Sequence, residues 1–131
     1  MRKILLSIKP CFVEKILTGR KTVEYRKQIP RDDTVRHVVV YSSYPVKRVV
    51  AEFSLGGYIF GTPEWLWRQT SRIGGITKGV YDKYFEGKEI AYAYLIENLR
   101  VFEQPKLLAE YGLEKGPQDF CYVDECSLDA I

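Results

Sequence analysis

Histidine is nearly missing from this chain: His37 is the only one in 131 residues. A multi-histidine metal site is therefore excluded, and a histidine-based triad would have to use His37 alone. Its β-branched neighbours make it a strand-edge residue facing solvent. Cysteine is scarce too. Cys11, Cys121 and Cys126 are odd in number and form no C-x-x-C pair, so neither a disulfide framework nor a zinc site is indicated. No metal and no cofactor are expected. The longest run of hydrophobic residues, Ile90–Ile96, is seven long, against the ~20 that a membrane helix needs. Met1-Arg2-Lys3-Ile4-Leu5-Leu6 opens like a signal peptide, but Lys9 and Pro10 arrive too soon and no small-residue cleavage site follows. These absences place the chain in the cytoplasm, with no membrane partner. Repeats, low-complexity segments and linkers are also missing. The expectation is one domain over 1–131, with its core at about 4–123 and an acidic, frayed tail at 124–131.

Charge is unevenly placed. Residues 1–50 hold 12 Lys/Arg against 4 Asp/Glu, a balance of +8, and residues 51–131 hold 8 against 13, a balance of −5. A basic first part suggests a negatively charged, polar partner near the N-terminal elements. Plain solvation of exposed faces is the alternative. The charge is densest in Thr18–Lys27, with four cations and one carboxylate in ten residues.

Hydrophobic periodicity and punctuation predict the elements around that stretch. Lys3–Lys9 reads as a strand. Pro10 opens a short helix with Phe12, Val13, Ile16 and Leu17 on one stripe, and Gly19 stops it. Lys21–Lys27 then reads as a strand that buries Val23 and Tyr25 and leaves Glu24 and Arg26 on a polar face, about 7 Å apart. Val35–Ser43 is strand-like by β-branched content. Arg48–Leu55 follows, with Gly56-Gly57 as a bulge. Thr62-Pro63-Glu64 starts a helix. Lys78–Gly87 reads as another, with Val80, Tyr81, Tyr84 and Phe85 as its apolar face. A long strand at Glu89–Glu103, a short helix at Pro105–Tyr111 closed by Gly112, and a last strand at 116–123 complete the chain. Five or six strands with short inserted helices, and no regular βαβ alternation, predict an α+β fold on a small closed or nearly closed β-barrel.

The pattern Gly19, Lys21, Glu24, Arg26 (glycine, any, lysine, two of any, glutamate, any, arginine) resembles the ASCH-domain family of the PUA-like superfamily. Leu6–Pro10, Tyr41–Pro45 and Pro117–Phe120 extend the resemblance over about residues 4–123. It implies a PUA-like β-barrel with a cleft lined by the Lys/Glu/Arg strand. It also implies binding of RNA, a nucleotide or a nucleoside, in roles tied to translation or transcription. One branch of the family resembles amidohydrolases acting on N4-acylated cytidine. That branch has lysine at the position of Lys21 but threonine where this chain has Glu24, so the lysine transfers and the threonine nucleophile does not. Thr22 is near but out of register.

Each candidate residue carries two readings. Lys21 is a phosphate contact or an acid/base, or else an ion-paired surface lysine. Glu24 and Arg26 either form a structural pair or meet a base edge or sugar hydroxyl. Lys9, Ser42 and Ser43 sit at strand ends that would meet at one rim, where ordinary turn chemistry is the alternative. Trp65 and Trp67 cannot share a helix face, so Trp65 is a candidate stacking platform. The leading function is an RNA or nucleotide-binding module. The competing ones are a hydrolase on RNA or an acylated cytidine, with Lys21 and Glu24 catalytic, and a protein-interaction domain.

Overall fold

Two apolar triplets, Ile4-Leu5-Leu6 and Val38-Val39-Val40, are fully buried because their strands lie inside the sheet and are covered on both faces. They belong to β1 (Arg2–Ile8) and β3 (His37–Ser42), paired in parallel from Ile4↔Val38 to Ile8↔Ser42. The other strands of this computed structural model are β2 (Val23–Arg26), β4 (Arg48–Gly61), β5 (Ala91–Lys106) and β6 (Phe120–Asp124). They form one mixed sheet in the order β2-β5-β4-β3-β1-β6. The helices are α1 (Pro10–Leu17), α2 (Pro63–Thr70) and α3 (Lys78–Tyr84). The structure describes residues 2–124 and only the backbone of Asp124. The tail expected at 124–131, with Cys126, otherwise lies outside the described residues.

The α+β class and the six strands agree with the sequence reading, but barrel closure does not follow. No strand ladder joins the two edge strands, β2 and β6, among the described residues. A side chain spans them instead. Arg26 at the end of β2 donates to the carbonyl of Ser7 on β1 and, at 2.8 Å, to Asp119 just before β6. The sheet is therefore curled enough for its edges to come within one arginine's reach, and four-residue β2 is too short to close the ladder.

One apolar cluster joins Ile4, Leu6 and Ile8 of β1 to Val38, Val40, Phe53 and the α1 residues Val13 and Ile16. A second lies under the α2–α3 excursion: Val23 and Tyr25 of β2 with Leu66, Tyr81, Phe85, Ala91 and Ala93. Thr62 caps α2 as its punctuation requires, accepting from the amide of Trp65 at 3.2 Å. Gly19 (φ +80°) and Gly112 (φ +76°) take the left-handed backbone that ends a helix or turn. The expected bulge appears as a register shift between Leu55 and Tyr58. Two details differ. β5 runs on to Lys106, which reduces the predicted 105–111 helix to a 3-10 turn at Leu108–Tyr111. Val80 is 49% exposed, because α3 turns that side away from the core.

The excursion is pinned to β2 at a glycine. The loop after α2 brings Gly74 onto the Tyr25 ring, so closely that a Cβ there would collide with the phenol. Gly74→Ala should destabilise the fold by about 1–3 kcal/mol through overpacking. Gly79→Ala, with nothing within 4 Å of the added carbon, should be neutral or stabilising by up to about 1 kcal/mol through helix propensity. Urea unfolding midpoints of both variants check this; equal effects would refute it.

Candidate ligand cleft

Every residue of β2 is buried, including Glu24 and Arg26. The strand alternation does separate Val23 and Tyr25 from Glu24 and Arg26. What differs from expectation is that the polar face is also covered. Lys21, Glu24 and Arg26 are only 2%, 6% and 8% exposed, and together they floor a cleft of about 720 Å³.

The floor is a row of alternating charge. Lys21 Nζ lies 3.4 Å from Glu24 Oε1, and Arg26 Nε donates to Glu24 Oε2 at 3.0 Å. Lys21 Nζ also donates to the Gly74 carbonyl at 2.6 Å. Arg26 continues outward to Asp119, whose second oxygen accepts from Gln28 at 3.0 Å. Charges this deep are tolerated only when paired and hydrogen-bonded, and no buried side-chain polar atom among the described residues lacks a partner. Some capacity remains. Arg26 spends three of its five N–H groups on protein, and Lys21 keeps one of its three for a ligand or water.

Burial lowers the pKa of Lys21, and Glu24 opposes the shift through charge and hydrogen bonding. For Arg26 burial acts in the same downward direction. Glu24, then Tyr84 and Asp119, outweigh it, and the guanidinium is held more firmly charged. Burial pushes the Tyr84 phenol up to about 12. The floor thus offers a permanent cation, a lysine eased toward its neutral form, and a carboxylate between them.

The mouth is built from separate elements. Lys9 stands at the β1–α1 junction, Ser43, Tyr44 and Lys47 on the β3–β4 turn, and Lys83 and Tyr84 on α3, with 116–118 closing one side. Lys9, Lys47 and Lys83 are exposed, and none of them pairs with a carboxylate among the described residues. Of the sequence candidates, Lys9, Lys21, Glu24, Arg26 and Ser43 therefore come together. Ser42 does not line the cleft; it is buried, because alternation along β3 turns it opposite to Ser43. Trp65 lies elsewhere, 40% exposed and packed on Gly61 at the start of α2. Thr22 is exposed and outside the lining. Tyr44, Lys47, Lys83 and Tyr84 were not singled out from sequence. Tyr44 lies within Tyr41–Pro45, which the resemblance had marked, and Lys47 lies two residues beyond it, whereas Lys83 and Tyr84 read as parts of an ordinary amphipathic helix.

Fold and cleft together define a small α+β domain with a recessed, mixed-charge site under a basic mouth. The chain belongs to the ASCH-domain family. It is 32% identical over 97 residues to an ASCH domain-containing ribonuclease of Zymomonas mobilis, a match covering 74% of this chain and 66% of that protein. The crystal structure of ASCH from Zymomonas mobilis superposes with a TM-score of 0.84 at 28% identity, covering 94% of this chain and 88% of that one. The large ribosomal subunit protein uL22 of Ureaplasma parvum is 38% identical over 103 residues, 79% of this chain. The chain spans only a third of the length of that relative. No family model matches.

Replacing Glu24 by glutamine would leave Lys21 and Arg26 buried without their shared counter-charge. Glu24→Gln should cost about 3–5 kcal/mol in urea unfolding; a cost below about 1 kcal/mol would contradict the pairing. NMR titration of the Lys21 ammonium should give a pKa below 10.5, and lower still in Glu24→Gln. A folded pKa below the unfolded one means that the unfolded chain binds more protons in between, so the Lys21 contribution to stability rises with pH across that window. Lys21→Met should remove that rise.

Proposed function

We propose that this domain binds RNA and seats one nucleotide in the cleft. One observation carries the reading: five cations (Lys9, Lys21, Arg26, Lys47 and Lys83) line the cleft against a single carboxylate, Glu24. The exposed lysines at the mouth suit phosphates. The recessed floor suits a base edge or a ribose hydroxyl, because the free N–H groups of Lys21 and Arg26 donate while Glu24 accepts. A purely phosphate-binding surface needs no buried carboxylate. The open cleft also argues against a domain whose site is filled by its own side chains.

Ribonuclease action is the second reading, favoured by the lowered pKa of Lys21 and by a relative named as a ribonuclease. In that chemistry a neutral Lys21 takes the proton of a ribose 2′-hydroxyl, whose oxygen attacks the adjacent phosphorus. Arg26 stabilises the charge gathering on the phosphoryl oxygens. The departing 5′-oxygen takes a proton from the Lys21 ammonium so formed, directly or through water, leaving a 2′,3′-cyclic phosphate, a 5′-hydroxyl end and a neutral lysine. The cytidine amidohydrolase reading has weaker support, since Glu24 replaces the branch's threonine and Thr22 faces away.

Fluorescence anisotropy with a mixed-sequence single-stranded RNA, at 50 and 200 mM salt, tests the binding. Affinity should fall with salt, with a slope of about −0.7 per phosphate contacted. Lys9→Ala and Lys83→Ala should each flatten the slope by about 0.7. Binding that is indifferent to salt and to both variants would overturn the proposal. Incubation of RNA and of the matching DNA with the protein tests the second reading. RNA alone should be cut, and Lys21→Met should abolish cutting; cleavage of both would exclude attack by the 2′-hydroxyl.

A further inference from the structure

Tyr44 is 77% exposed, the highest value among the large hydrophobic side chains of the described residues. A single exposed aromatic is ordinary, but this one stands on the rim of the cleft, on a turn held in a defined shape. The amides of Val46 and Lys47 both donate to the Ser43 carbonyl, and the Ser43 amide donates to Ile8 on β1. The turn is thereby tied to a central strand of the sheet.

Lys47 adds a second, independent observation. Its φ of 54° is left-handed, a conformation that costs free energy in any residue with a Cβ. Glycine would remove that cost and asparagine would lessen it, yet a lysine stands there. The conformation carries its ammonium back over the Tyr44 ring, 5.6 Å from the centroid. An exposed aromatic face and an unpaired cation are thus held side by side at the mouth. That is the pairing of a stacking platform with a phosphate contact. The floor lies inward of it, with Lys21, Glu24 and Arg26 facing the same cavity.

We infer that Tyr44 and Lys47 form a second subsite, which takes the nucleotide adjoining the one in the cleft. Tyr44 stacks on its base and Lys47 meets the phosphate joining the two. The inference rests on the RNA-binding reading above and makes it more specific: the ligand is an oligonucleotide segment rather than a free nucleoside or mononucleotide. Stacking on an aromatic face tolerates every base, so this subsite contributes affinity without sequence preference.

Isothermal titration with uridine 5′-monophosphate, the dinucleotide UpU and hexauridylate tests this in the full chain. UpU should bind at least about 5-fold more tightly than the mononucleotide. Tyr44→Ala should erase that gain, so that UpU binds no more tightly than the mononucleotide, while Tyr44→Trp should keep or enlarge it. Lys47→Ala should reduce the salt slope for UpU by about 0.7. Equal affinity for the monomer and dimer, or a gain that survives Tyr44→Ala, would overturn the subsite and leave RNA binding at the floor intact. Failure of all three ligands to bind would overturn the RNA reading and the subsite together.

Discussion

Glu24 is the constraint on which this site depends. Two cations lie buried on either side of it, and each would be expensive to bury alone. The carboxylate makes both burials tolerable. Each cation then uses its remaining donors to hold a different part of the molecule. Lys21 holds the Gly74 carbonyl, and through that loop the α2–α3 excursion. Arg26 holds the Ser7 carbonyl and Asp119, and with them the far edge of the sheet. Three residues of one short segment thereby connect a helix excursion, a central strand and the approach to the last strand.

This arrangement explains why β2 is so short. Edge strands expose unpaired backbone groups and need protection. Here β5 pairs one side of β2 over Val23–Arg26, and the end of the open side faces the curled sheet across the Arg26 contacts. Immediately before the strand, the amides of Lys21 and Thr22 are taken by Lys15 and Ile73 rather than by a sheet partner. The chain leaves sheet geometry at the point where Lys21 must turn down to Gly74.

The sequence was informative where local chemistry decides. Proline at position 10 and glycine at 19 bracket a helix because both act within one turn of chain. The same holds for Thr62-Pro63 and for the Gly56-Gly57 irregularity. Alternation correctly grouped Glu24 with Arg26, since strand geometry guarantees it. What was not legible depends on partners far along the chain. Arg26 and Asp119 are 93 residues apart, and no periodicity reports such a contact. The burial of the polar face goes with partners from distant segments, the Gly74 and Ser7 carbonyls and Asp119, which the local pattern of β2 does not disclose. Trp65 looked available because it cannot share a helix face with Trp67; in the structure it packs on Gly61, at the end of β4. Barrel closure failed for a related reason. Strand count is local information, whereas closure depends on the lengths and tilts of the two edges.

Division of labour between floor and mouth follows from these energetics. The floor groups are committed to one another, so a ligand meets only their few free donors, already fixed in place. Such donors lose little entropy on binding, which favours recognition of a shape over general attraction. The mouth lysines are exposed and, among the described residues, have no carboxylate partner, and attraction by exposed charges is long-range and screened by salt. Under the proposed RNA-binding reading, capture and recognition would fall to different residues. In that reading Glu24 would belong to recognition: it lends no attraction to a polyanion, and at the mouth it would weaken capture. Buried between two cations, it costs the surface field little while holding the donors where a ligand can read them. The carboxylate that organises the fold is the same one that sets the chemistry of the floor.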